Sequence, residues 1–101
     1  MSPIVSVSIV VPRPGKFDEF VAIQREQYRR LRGKVSGLLG SRLYRSIDGR
    51  SAILLAMFET AEDQQRFAES ADLLDHIARV RGLVERTGPG LYESAYEYGI
   101  V

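Results

Sequence analysis

Five side chains in this 101-residue sequence have types and spacings that could do chemistry. His76 is the only histidine, and so the one side chain whose ordinary pKa lies near neutrality and could carry a proton to or from a ligand. Gln24 and Tyr28 stand one helical turn apart in a stretch of helical spacing, which would bring an amide and a phenol into one space. Arg42 and Tyr44 alternate along a strand-like run and so share a face. Either could reach a phenolic or enolic oxygen if that face turns toward the helices. The chemistry within reach of such a set is proton abstraction and stabilisation of the resulting oxyanion.

Each of these residues also has a plainer account. A lone histidine at the margin of an apolar helical stripe is commonly a surface residue. A glutamine inside such a stripe must find partners or lose roughly 1 to 3 kcal/mol, and it usually bonds to nearby backbone or side chains. Arginine and tyrosine on one strand face suit a subunit interface, and the ladder Tyr92, Ser94, Tyr96, Tyr98 has the same ambiguity. Asp75 and Arg79 flank His76 and could tune it or simply solvate the helix.

Several chemistries are excluded by what the sequence lacks. With no cysteine there is no disulfide, thiolate nucleophile, iron–sulfur cluster or Cys-based zinc site. No glycine-rich phosphate loop follows a strand, and no cluster of spaced histidine and carboxylates could hold a metal. Lysine plus arginine total 14 against 13 acids, so a net charge of +1 offers no field to gather nucleic acid or an anionic membrane. The cluster Arg29, Arg30, Arg32, Lys34 falls where a helix should end, and cations there offset the negative pole of the helix dipole. The run Met1 to Val11 lacks a basic flank and a small-residue cleavage site, and no stretch reaches the roughly 20 apolar residues of a membrane span. A cytoplasmic protein is expected.

The elements that must position these residues follow from periodicity. Pro3 to Val11 alternates as a strand, with Val5, Val7 and Ile9 on one face and Ser6, Ser8 and Val10 on the other. Pro12 and Pro14 stop it, and Phe17, Val21, Gln24, Tyr28 and Leu31 then recur as one helical stripe flanked by Phe20. Gly33 and Gly37 release the chain into a second strand over about Leu38 to Ile47. Asp48-Gly49 predicts a two-residue type I′ hairpin, which would set Tyr44 opposite Ile53, Leu43 opposite Leu54 and Arg42 opposite Leu55. Strand three, Ser51 to Phe58, is apolar on both faces. Thr60 with Asp63 predicts a capped helix, broken near Ser70, whose second half carries the stripe Leu73, Ile77, Val80, Val84 and ends at Gly88-Pro89-Gly90. The last strand is expected over Leu91 to Tyr98.

The order is therefore βαββαβ in a single domain spanning residues 1–101, since a chain of this size has room for one core. Both crossover helices of such a sheet pack on one face, so a strand apolar on both sides needs a second cover. Each Leu, Ile or Phe left in water would forfeit roughly 1.5 to 3 kcal/mol of burial. A homodimer joined through the open sheet face supplies that cover with one self-complementary patch.

The stretch Gly37-Leu-Leu-Gly-Ser-Arg-Leu-Tyr-Arg-Ser46, then Leu54-Leu-Ala-Met-Phe-Glu-Thr-Ala-Glu62, then Leu74-Asp-His76 in the following helix, resembles the antibiotic-biosynthesis-monooxygenase (ABM) family. The resemblance covers nearly the whole chain and includes the wider dimeric α/β-barrel superfamily. It implies an α+β, ferredoxin-like βαββαβ fold with a four-stranded antiparallel sheet, two such sheets forming the barrel. It also implies a cofactor-independent monooxygenase acting on a small aromatic or polycyclic molecule. The residues expected at such a site are His76 as the catalytic group and, against the substrate, Gln24, Tyr28, Tyr44 and Arg42 from their positions and Phe67 from the resemblance. Phe67 enters because it stands where the haem-degrading branch carries a Trp. That branch also uses an Asn on strand one and a His ligand on the later helix. Here strand one offers only Ser6 and Ser8, and Ile77 takes the ligand position with His76 one residue short, a turn of about 100° on a helix. No cofactor is expected, with haem a minor possibility. A non-catalytic ligand-binding or interaction module on the same barrel is the alternative.

Overall fold

Two runs of β-branched and aliphatic residues, Ile4–Pro12 (β1) and Ala52–Phe58 (β3), form the centre of a four-stranded antiparallel sheet in the computed structural model, which describes residues 3–100. The strands lie in the order β2-β3-β1-β4, with Leu38–Arg45 (β2) and Val84–Glu93 (β4) at the edges. Helix α1 (Phe17–Leu31) connects β1 to β2, and α2 (Ala61–Ala68) with α3 (Ala71–Val80) connects β3 to β4. This is the expected α+β, ferredoxin-like βαββαβ arrangement.

The hairpin register is the predicted one, with Tyr44 opposite Ile53, Leu43 opposite Leu54 and Arg42 opposite Leu55. The turn itself differs. Within the turn only Gly49 takes a positive φ, of 74°, and among the described residues no non-glycine residue does, so Asp48 does not adopt the first position of a type I′ turn. Side chains close the loop beside the backbone bond from the Ser46 amide to the Ser51 carbonyl at 2.8 Å. Ser46 Oγ accepts from the Arg50 and Ser51 amides at 3.1 and 3.0 Å and donates to Asp48 Oδ1 at 2.6 Å. Asp48 Oδ1 also accepts from the Arg50 amide at 3.0 Å; the Ser46 hydroxyl first, and then this amide, hold its carboxyl below the usual range.

The break at Ser70 is present, and its cause is a second cap. Ser70 Oγ accepts from the Leu73 amide at 3.2 Å and donates to the Phe67 carbonyl at 2.7 Å, closing α2 and opening α3. Thr60 caps α2 in the same way, accepting from the Asp63 amide at 3.1 Å.

The last strand lies earlier than the tyrosine alternation suggests. It begins at Val84 and ends at Glu93, so Gly88-Pro89-Gly90 sits inside a strand and Tyr96 and Tyr98 lie beyond it, exposed. β1 has nine residues whose outer edge needs hydrogen bonds, and β4 meets it from Val84 opposite Pro12 to Glu93 opposite Ile4. Pro89 is tolerated there because β4 is an edge strand with no further neighbour to receive its missing N–H.

Alternation sorts the sheet into two unlike faces. Ser6, Ser8, Val10, Ala52, Leu54, Ala56 and Phe58 turn toward the helices, where Phe58 meets Phe67 at a ring separation of 5.7 Å and Leu31 and Ala56 complete a small core. Val5, Val7, Leu55, Ile9, Ile53 and Met57 turn the other way, and the last three are 53, 42 and 41% exposed.

Candidate functional site

The helix-facing side of the sheet is not filled. Ser6 and Ser8 on β1 and Ala56 on β3 are small where the helices cross, and they leave a cavity of about 530 Å³ between sheet and helices. That volume lies within the roughly 300 to 1,000 Å³ range of small-molecule pockets. Phe20, Phe58, Phe67 and Leu73 supply apolar walls.

Helix α1 presents Phe20, Gln24, Gln27 and Leu31 as its buried stripe, at steps of four, three and four. The stripe is therefore turned toward Gln27 relative to the one predicted through Val21 and Tyr28. Gln27 is 1% exposed, was not singled out in the sequence, and serves structure: its Oε1 accepts from Arg30 and its Nε2 reaches the Asp72 carbonyl at 3.4 Å. The available signal was its spacing, three residues after Gln24 and four before Leu31. Gln24 is 5% exposed and lines the cavity, and its Oε1 has no partner.

On α3 the buried residue is His76, at 5% exposure, while Ile77 and Leu74 are 42 and 56% exposed. His76 thus occupies the middle of the inward face and not its margin. Neither Nδ1 nor Nε2 has a hydrogen-bond partner. Burial pushes its pKa below the ordinary value, and the charges of Arg79 and then Arg30 push the same way; Asp75 has no part in the shift. At neutral pH the imidazole is uncharged, with one nitrogen free to accept a proton.

Tyr28 also lines the cavity. Burial raises its pKa, opposed by a hydrogen bond with Ser41, so it stays a protonated donor. Gln24, Tyr28, Phe67 and His76 are therefore gathered around one space. An unpartnered buried polar atom costs roughly 1 to 3 kcal/mol, and three of them belong to Gln24 and His76, which line one cavity and could offer a ligand hydrogen bonds.

Arg42 and Tyr44 are not part of this group. Their pairing partners Leu55 and Ile53 place them on the open face, where Arg42 Nη1 donates to Tyr44 Oη at 3.0 Å. Ser41 and Leu43 take the helix-facing positions on β2 and line a second cavity, of about 440 Å³, under the first half of α1. Among the described residues no group of three histidine or carboxylate side chains could hold a metal ion, and no helix is long and apolar enough to cross a membrane.

No protein-family model matches the chain, and no curated protein sequence does. Solved structures do. The chain superposes on SnoaB of Streptomyces nogalater, a cofactor-independent oxygenase, with a TM-score of 0.85 at 16% identity over 96% of this chain and 97% of the other. A Nitrosomonas europaea protein named for the antibiotic biosynthesis monooxygenases gives 0.83 at 18% identity over 97 and 95%. A Bordetella bronchiseptica protein named likewise gives 0.81 at 22% over 97 and 100%. The fold is the one these proteins share, as the sequence resemblance implied.

Proposed function

We propose that the chain is a cofactor-independent monooxygenase of the ABM type, oxidising a small aromatic or polycyclic substrate in the cavity between sheet and helices. The observation that carries the reading is the unpartnered, neutral imidazole of His76 facing an apolar cavity beside Gln24 Oε1. The cofactor-independent oxygenase of the same fold supports it. Without a bound redox group the electrons come from the substrate. A benzylic methylene activated by a neighbouring phenol or ketone gives a proton to His76, and the resulting anion is stabilised by hydrogen bonds from Tyr28 and the Gln24 amide. The anion reduces dioxygen and binds it at carbon, and His76 returns the proton to form a hydroperoxide. Loss of water then leaves a ketone, so that CH₂ plus O₂ become C=O plus H₂O. Phe67 and the other aromatic walls exclude water and stack on the ring system.

The working unit in this reading is a homodimer, joined through the open face on which Ile9, Ile53, Met57 and Tyr92 are exposed. Arg42 and Tyr44 then belong to that interface, where their residue types are enriched, and not to the substrate pocket. The direct test is oxygen uptake with anthrone in air and no added cofactor. Uptake equal to the ketone formed is expected, and His76→Gln should slow it about a hundredfold or more. Tight binding of the ring system with no uptake would make the cavity a ligand carrier, and a Soret band on adding haem would redirect the reading to haem.

A further inference from the structure

The two edges of the open face are unlike. Strand pairing sets Arg42 of β2 in one row with Gly90 of β4, by way of Leu55 and Val7, and Tyr44 in the next row with Gly88. The β2 edge is therefore raised by the bonded pair of Arg42 and Tyr44 at the level where the β4 edge has only glycine. Gly90 gives the Tyr92 ring room to lie along β4, since a side chain begun at Gly90 would meet that ring at 2.8 Å. At Gly88 nothing among the described residues lies within 4 Å of the corresponding point, so that part of the edge is a shallow hollow.

Two sheets packed face to face with strands aligned are related by a two-fold axis that runs either across the strands or along them. An axis across them, centred on Leu55, lays β2 on β2 and turns the two Arg42 guanidinium groups toward each other. Like charges meeting at an interface oppose association. An axis along the strands lays β2 of each copy on β4 of the other. Each guanidinium then meets a Tyr92 ring, and each Tyr44 meets the hollow at Gly88.

We infer that two copies of this chain join by opposite edges, with Arg42 of each stacked on the Tyr92 ring of the other and Tyr44 of each seated at Gly88 of the other. This rests on the homodimer of the proposed function and adds which residues recognise which. The face of an aromatic ring is the negative part of its quadrupole and attracts a guanidinium, and the bond to Tyr44 Oη at 3.0 Å holds that guanidinium in place. Two-fold symmetry makes the contact twice.

The test is sedimentation equilibrium of the full chain and its variants. Arg42→Gln is expected to weaken association about tenfold, and Tyr92→Leu likewise. The two together should weaken it no more than either alone. Within one chain these residues stand on opposite edges, three strand spacings or about 14 Å apart, so such coupling can arise only between copies. Gly88→Leu fills the hollow and should also weaken association about tenfold, with Tyr44→Ala in the same chain restoring part of it. Circular dichroism checks that each variant is folded. Tighter association of Arg42→Gln, as the axis across the strands requires, or losses from Arg42→Gln and Tyr92→Leu that multiply, would overturn the inference. The dimer reading fails in a different way. Unmodified protein that sediments as a monomer removes the dimer and this pairing together, whereas a dimer broken by Leu55→Asp but indifferent to Arg42→Gln keeps the dimer and removes only the pairing.

Discussion

The two faces of the sheet are built from the same strands and are packed in opposite senses. The face under the helices, which has a cover, carries Ser6, Ser8 and Ala56 at its middle and is hollow. The face without a cover carries Val5, Val7, Ile9, Ile53, Leu55 and Met57 and is filled with large aliphatic groups, several of them more than two-fifths exposed. A chain selected only to fold alone would do the reverse, since small polar residues suit solvent and large apolar ones suit the core. The inversion teaches that neither face is finished within one chain. In the function proposed above, a ligand would complete the hollow side and another copy the filled side.

The largest expected effect comes from attacking the filled side. Leu55 lies at its middle, paired between Val7 and Arg42. Leu55→Asp would bury an unpaired carboxylate in the proposed dimer, at several kcal/mol, and so weaken association by roughly a thousandfold or more. Sedimentation equilibrium checks this. A variant with the unmodified protein's mass in solution would show that this face does not join two copies.

The hollow side should respond in the opposite way to a larger residue. Ser8→Leu places an aliphatic side chain in the cavity without displacing a packed neighbour. Folding stability should hold or rise by about 1 kcal/mol, from apolar area removed from water. Anthrone turnover should fall about a hundredfold, because the ring system loses its space. Thermal unfolding and oxygen uptake together decide it. Lost stability would mean that the space is tightly closed in solution.

How far the two faces were legible in the sequence depended on the kind of signal. Alternation with a hairpin register fixed by the loop at Asp48-Gly49 put Arg42 opposite Leu55 and Tyr44 opposite Ile53 correctly, because the loop length decides which residues face each other. It did not say which face the helices cover, since β3 is apolar on both. The helices were read by hydrophobicity alone, so Val21 and Ile77 drew the predicted stripes away from Gln27 and His76, the polar residues that lie deepest. Val84 fell into a helical period while belonging to β4. The hydrogen-bonding demand of the β1 edge, which no local pattern contains, fixed its place. The cavity was legible only in part: Gln24, Tyr28 and His76 were named, but small residues at β1 and β3 make the space, and smallness leaves no periodic mark.

His76 provides a finer probe of the hollow side. Its two unpartnered nitrogens are a cost of folding, so His76→Leu should raise stability by about 1 kcal/mol while it removes the proposed base. The sign with pH follows from the lowered pKa. Above the ordinary value near 6.5 both folded and unfolded states hold a neutral imidazole. Below it the unfolded state takes up a proton that the buried site resists, so stability falls from about pH 6.5 down to the lowered folded value. Denaturant unfolding between pH 7.5 and 5 should show this decline in the unmodified protein and a flatter one in His76→Leu. Matching pH profiles would mean that the imidazole is solvated in the folded state.

The smallest effect is expected where the sequence placed a substrate contact and the fold placed a residue of the open face. Tyr44→Phe removes a hydroxyl that accepts from Arg42 Nη1 at 3.0 Å on a side chain 47% exposed. An exposed bond of this kind contributes about 1 kcal/mol or less, so dimer affinity should change by no more than a few-fold. Anthrone turnover should not change, because the phenol lies across the sheet from Gln24 and His76. Paired measurements of self-association and turnover on the same sample separate the two roles. If turnover fell tenfold while association held, the division of labour between the faces would fail, and Tyr44 would have to reach a ligand from the side the helices do not cover.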